Sequence, residues 1–196
     1  MKALNLMPLV AISVMLISIL TSCGSTNTGG GAVFTTVNAS ASADSAKNPL
    51  LSDLAKWSGT ACASGSTYTI SNDLVSFAVV STVNISSGTG SPLMLQKATI
   101  TLSPADTLTP ALPPLYSTYY QYLTGATVPA GSTLSVPIEI GTHNIKSYLG
   151  NILVCNGSNT IYSYNATIVI DAVESAIGTS KPITAGMTVR FADFSD

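Results

Sequence analysis

The chain has 196 residues and few charges, seven Lys and Arg against nine Asp and Glu, for 8% charged residues and a net charge of −2. An average soluble domain carries about 25% charged residues, and here the charges are scattered singly, which excludes a basic patch for nucleic acid or anionic head groups. One histidine and three cysteines are too few soft ligands for a zinc or copper centre; no Asp-x-Asp-x-Asp-Gly run offers a calcium loop, and no cofactor is expected.

In chain order, Lys2 comes first, followed by an apolar run from Leu9 to Leu20 broken only by Ser13 and Ser18. A charged start, a short apolar core and small residues before a cut make a secretory signal. The run is shorter than the roughly 20 residues that span a bilayer as a helix. Leu20-Thr21-Ser22-Cys23 resembles the lipobox of bacterial lipoproteins. The resemblance implies that residues 1–22 are a signal peptide and that Cys23 carries the acyl chains. It also implies a cell-envelope location with the membrane as a partner. Gly24 and Ser25 follow without an aspartate, and in lipoproteins similar to this one that implies the outer membrane of a diderm bacterium, with the face left open. Residues 23–31 form the lipid attachment and a flexible tether, Gly24 to Gly31 having no apolar side chain. The folded domain is expected over 32–196.

From there the apolar period is mostly two. Val75, Phe77, Val79, Val83 and Ile85 share a face with Ser81 as the polar interruption. Met94, Ala98, Ile100 and Leu102 alternate with Lys97, Thr99 and Thr101. Similar runs cover Leu134 to Ile140, Tyr162 to Ile170 and Met187 to Phe191, and weaker strands are expected at Val33–Asn38 and within Tyr116–Leu123. Runs of this kind between Gly, Pro, Asn and Ser clusters predict half-buried antiparallel strands. Pro137 lacks a ladder donor and predicts an edge strand. The helical signal is short: Asn48 as N-cap, Pro49 at the first position, then Leu50, Leu51, Leu54 and Trp57 on one face. The proline-rich stretch Ser103–Leu115 predicts a crossover that carries the chain from one sheet to the other.

The expected fold is therefore all-β, an antiparallel two-sheet sandwich of immunoglobulin-like or fibronectin-like type with one short capping helix. The segment Val128 to Val136 resembles the edge of bacterial immunoglobulin-like and fibronectin-like modules, while the tryptophan and cysteine spacing of true immunoglobulin domains is absent. With Cys23 assigned to lipid, Cys62 and Cys155 remain, and in an exported protein they are expected to pair. Closing so long a loop is worth about 4 to 5 kcal/mol in the chain-entropy account.

Catalysis is poorly supplied. His143 lies in a polar Thr142-His143-Asn144 turn and reads as a surface loop residue, and no Gly-x-Ser-x-Gly elbow flags a nucleophile. Asp44, Asp53, Asp73 and Asp106 fall in turns or helix starts, and Glu139, Asp171 and Glu174 read as solvated charges. Tyr116, Tyr119, Tyr120 and Tyr122 are the candidate binding surface, since tyrosine supplies rigid apolar area with a polar tip. Adjacent Tyr119 and Tyr120 must point to opposite faces of an extended chain. The functional expectation is a non-enzymatic, lipid-anchored cell-envelope protein with a binding or structural role through protein or glycan contacts. The alternatives are a hydrolase whose carboxylates converge in a cleft, which would bring Glu139, Asp171, Glu174 or His143 together, and an accessory subunit of an envelope or surface complex.

Overall fold

Alternation of buried and exposed side chains builds the strands of this chain. The computed structural model describes residues 35–84, 90–155 and 160–194; Cys23 and the tether lie outside them. In chain order the strands are β1 (Val37–Ala43), β2 (Leu50–Asp53), β3 (Lys56–Ser58), β4 (Thr67–Thr69), β5 (Asp73–Val83), β6 (Leu93–Pro104), β7 (Thr118–Tyr122), β8 (Thr127–Val128), β9 (Thr133–Gly141), β10 (Tyr162–Glu174) and β11 (Ser180–Ala192). A 3-10 turn spans Ser45–Lys47, and two helices, α1 (Pro114–Ser117) and α2 (His143–Leu153), complete the described elements.

The strands form a three-stranded sheet in the order β1-β5-β9, a six-stranded sheet in the order β2-β11-β10-β6-β7 with β8 on β6, and the small β3–β4 pair. The fold is all-β, and the two larger sheets put their apolar faces into one core. Phe77, Val79, Ile138 and Ile140 from the first join Ile100, Ile168, Val189 and Phe191 from the second, all of them fully buried. Pairing is antiparallel throughout except for β2, which runs parallel to β11 from Val189↔Leu50 to Ala192↔Asp53. The final hairpin has the expected buried face, although β11 begins at Ser180, seven residues before the predicted start. Pro182 and Gly186 hid that extension. Pro182 is tolerated because β2 covers only the far end of β11.

Four other expectations change. The helix predicted over Asn48–Trp57 is absent: Leu50–Asp53 is a strand, and Asn48 Oδ1 accepts from the Thr188 N–H at 3.0 Å. Its side chain caps a neighbouring strand instead of starting a helix, so tertiary pairing overrides the local signal. The capping helix is α2, built on Ile145, Leu149 and Leu153 at four-residue spacing, with Thr142 Oγ1 accepting from the Ile145 N–H at 3.3 Å. His143 is thus exposed on a helix, not a loop. The proline-rich stretch returns to the same sheet, joining β6 to β7; it is pinned by Tyr164, whose hydroxyl donates to the Pro110 carbonyl at 2.9 Å. Met94 faces outward at 42% exposure because Asp171 pairs with Lys97 while Ala172 pairs with Leu95. That leaves Gln96 as the extra residue of a β-bulge, which reverses the alternation along β6. Ser81 is buried, and its Oγ has no hydrogen-bond partner.

Candidate functional site

The four predicted tyrosines separate into two roles, and the alternation of β7 is the cause. Tyr119 points inward, where its hydroxyl donates to the Ile140 carbonyl at 2.5 Å with the Glu139 carbonyl at 3.3 Å. Burial, with the Glu139 charge adding to it, pushes the Tyr119 phenol well above its ordinary range. Tyr116, on α1, is half-buried and stacks on Tyr148 of α2, with ring centroids 5.0 Å apart and planes 28° apart. Gln121 turns the same way as Tyr119. Its amide donates to the Pro137 carbonyl at 3.2 Å and accepts the Glu139 N–H at 2.9 Å. Two side chains of β7 thereby cover the open edge of β9, where Pro137 already removes a donor, as an edge strand requires.

Tyr120 and Tyr122 remain exposed, at 62% and 69%, with ring centroids 5.4 Å apart in an edge arrangement. Of the predicted cluster, these two alone present their rings to solvent. Across the strands they stand opposite Thr99 and Lys97. Lys97 pairs in turn with Asp171 of β10, Nζ to Oδ2 3.3 Å, both side chains about two-fifths exposed. One row across the outer face therefore reads Tyr122, Lys97, Asp171, Pro182. The bulge places Gln96 beside Lys97, and a hollow of about 410 Å³ opens there, lined by Met94, Gln96, Thr124, Gly125 and Thr127 among others. Bulges often re-aim side chains at binding sites. Sequence reasoning passed over Lys97, which reads as one polar position of an alternating strand, and weighed Asp171 only as a solvated charge or a hydrolytic carboxylate. The bulge that gathers them appears only in the cross-strand register.

This arrangement has an apolar ring pair, a cation with spare N–H donors, a carboxylate with a spare oxygen, and a rim of threonine hydroxyls. It can grip a flat or hydroxylated surface. Among the described residues it holds no set of three His, Cys, Asp or Glu side chains placed for a metal.

The groups weighed for hydrolysis are dispersed over the fold. Glu174 is fully buried rather than solvated: Oε2 accepts from the Thr36 N–H and hydroxyl, both at 3.1 Å, and Lys181 Nζ lies 3.7 Å from Oε1. Asp171 pairs with Lys97, Glu139 lies on β9 of the other sheet, and His143 Nδ1 sits 3.4 Å from the Ile70 carbonyl. No hydrogen bond or ion pair joins any two of these four groups among the described residues. Asp44 caps the 3-10 turn and Asp106 accepts from the Leu108 and Thr109 N–H groups, as turn residues should. Asp73 instead opens a strand, and Asp53 ends one.

Cys62 and Cys155 are joined, with Cα atoms 5.4 Å apart, which ties the β3–β4 loop to the residues after α2. Both cysteines have positive φ, 58° and 60°. Trp57 on β3 packs its ring against Tyr68 on β4 at 5.0 Å, and its Nε1–H donates to Asp193 at 3.2 Å. No helix among the described residues is long and apolar enough to cross a membrane. No protein-family model matches the chain, and no curated protein matches it.

Proposed function

We propose that this chain is a lipid-anchored, non-enzymatic binding protein of the cell envelope, attached through Cys23, whose ligand docks on the outer face of the six-stranded sheet. The observation that carries the reading is the pairing of exposed Tyr120 and Tyr122 with the Lys97–Asp171 row beside the hollow at Gln96. Strands fix the backbone that carries these side chains, which lowers the ordering cost at the moment of binding and favours recognition. Ring faces flanked by one donor and one acceptor suit the pyranose rings of an envelope glycan, and a protein surface is the second ligand class. The lipobox-like Leu20-Thr21-Ser22-Cys23 supports the anchor and the outer-membrane address. The strand order β1-β5-β9 against β2-β11-β10-β6-β7 supports an immunoglobulin-like type, because it follows the A-B-E and G-F-C order of that sandwich with β7 beside C.

A photo-crosslinking residue placed at 122, and separately at the exposed position 40 of β1, tests the face in the protein's own membranes. Adducts are expected from position 122 and not from position 40. Equal yields from the two, or none from 122, would sink the assignment.

A further inference from the structure

Away from the tyrosine face, four elements converge on one carboxylate oxygen. Lys146 of α2 is 1% exposed, and its Nζ lies 2.8 Å from Oδ2 of Asp73 on β5. Ser52 of β2 is fully buried and donates its hydroxyl to the same oxygen at 2.5 Å. Gly141 of β9 completes the wall: a Cβ there would collide with Asp73 Oδ2 and stand 3.0 Å from Ser52 Oγ. The space for this carboxylate exists because that residue is glycine.

Among the described residues, the ammonium finds one protein acceptor. An ammonium has three N–H bonds to place, and Asp73 is the one protein acceptor that Lys146 Nζ reaches among the described residues. A buried pair offsets its desolvation only when the remaining hydrogens are also bonded. A secondary amide between the same two side chains would carry no charge and a single N–H.

We propose that Lys146 and Asp73 condense into an intramolecular side-chain amide. The ammonium passes one proton to the carboxylate, giving an amine and a carboxylic acid. The amine lone pair then adds to Cγ of Asp73, forming the N–C bond. The nitrogen loses a second proton to Oδ2, the Cγ–Oδ2 bond breaks, and one water leaves. Nothing is oxidised or reduced. Ser52 donates to Oδ2 until that oxygen takes its second proton, and so draws charge from Cγ as the N–C bond forms, while the fold holds amine and acid in contact, the condition under which an intramolecular reaction gains most over its bimolecular counterpart. The amide would tie β5 to the start of α2, as the disulfide ties the residues after α2 to the β3–β4 loop. Two covalent links would then hold the helix.

The full chain, reduced at its thiols, is measured by intact mass beside a K146R variant and then digested with trypsin. The wild type is expected to be lighter than its processed sequence by one water and to give a branched peptide joining the Asp73 and Lys146 segments, whereas K146R shows no deficit. Should K146R fail to fold, the wild-type peptides decide alone. A wild-type mass without the deficit, or cleavage after Lys146 with the Asp73 peptide recovered linear, overturns the proposal.

Discussion

The molecule sets a lysine against an aspartate twice, and the two sites differ in nearly everything but the residue types. Lys146 and Asp73 meet at 2.8 Å with side chains 1% and 22% exposed, whereas Lys97 and Asp171 meet at 3.3 Å with 39% and 40% exposed. At the first site Lys146 and Ser52 are fixed by packing; at the second, about two-fifths of each group still faces solvent and is open to a ligand. Burial, not residue identity, separates a structural pair from one that can recognise something. Removing one partner of a buried pair typically costs about 3–5 kcal/mol, to which the amide proposed above would add the loss of a covalent link, while exposed pairs contribute about 0–1 kcal/mol. Lys146→Ala is therefore expected to lower the urea midpoint severely, and Lys97→Ala to leave it nearly unchanged while reducing ligand adducts at position 122. Similar midpoints for the two variants would erase the distinction.

The tyrosines repeat the contrast on a smaller scale. Tyr119 and Tyr120 are neighbours in sequence, yet one hydroxyl is bonded to the Ile140 carbonyl and the other ring is 62% exposed. A hydrogen bond of this kind is worth about 0.5–1.5 kcal/mol net. Tyr119→Phe should lose about that much and leave Tyr120→Phe, measured in the same thermal melts, as a silent control. A silent Tyr119→Phe would mean that the β7–β9 edge is held by Gln121 and Pro137 without it.

What the sequence disclosed follows the range of the interactions involved. The β10–β11 hairpin was legible because Ile168, Ile170, Val189 and Phe191 alternate over long strands whose two faces differ in environment. The segment from Asn48 to Trp57 was not, since four leucine and tryptophan positions fit a helix as well as they fit short strands, and the choice is made by β11 and by Thr188. Helix α2 carried its own signal in Thr142, Ile145, Leu149 and Leu153, which a reading centred on His143 passed over. The pairing of Cys62 with Cys155 followed by counting once Cys23 had been set aside by its lipobox-like context. The binding face was half legible. Tyr120 and Tyr122 stood out by type, but the hollow and the Lys97–Asp171 row depend on the bulge at Gln96, a property of two strands in register. For the same reason Glu174 read as solvated: its partners Thr36 and Lys181 are distant in sequence or across a turn.

Asp106 supplies the mildest test, because it is fully exposed and yet well engaged. The Thr109 hydroxyl and then the Thr109 N–H, with a weaker share from the Leu108 N–H, hold its carboxyl below the ordinary 3.8 against a small opposing effect of desolvation. The N–H contacts are 2.8 Å and 3.0 Å, both to Oδ1. A carboxylate with a lowered folded-state value stabilises the loop fully above the unfolded value, and that contribution is lost as pH falls through the lowered one. Acidification from neutral should therefore leave the 105–110 loop intact until the pH has dropped beneath 3.8. The carboxyl carbon resonance of Asp106 is the measurement. Thr109→Val deletes the leading donor and should move the Asp106 midpoint back up toward the ordinary value. If the midpoint stays where it was, the backbone N–H groups alone hold the charge, and exposure would be the poorer guide to which of this protein's carboxylates are free to meet a ligand.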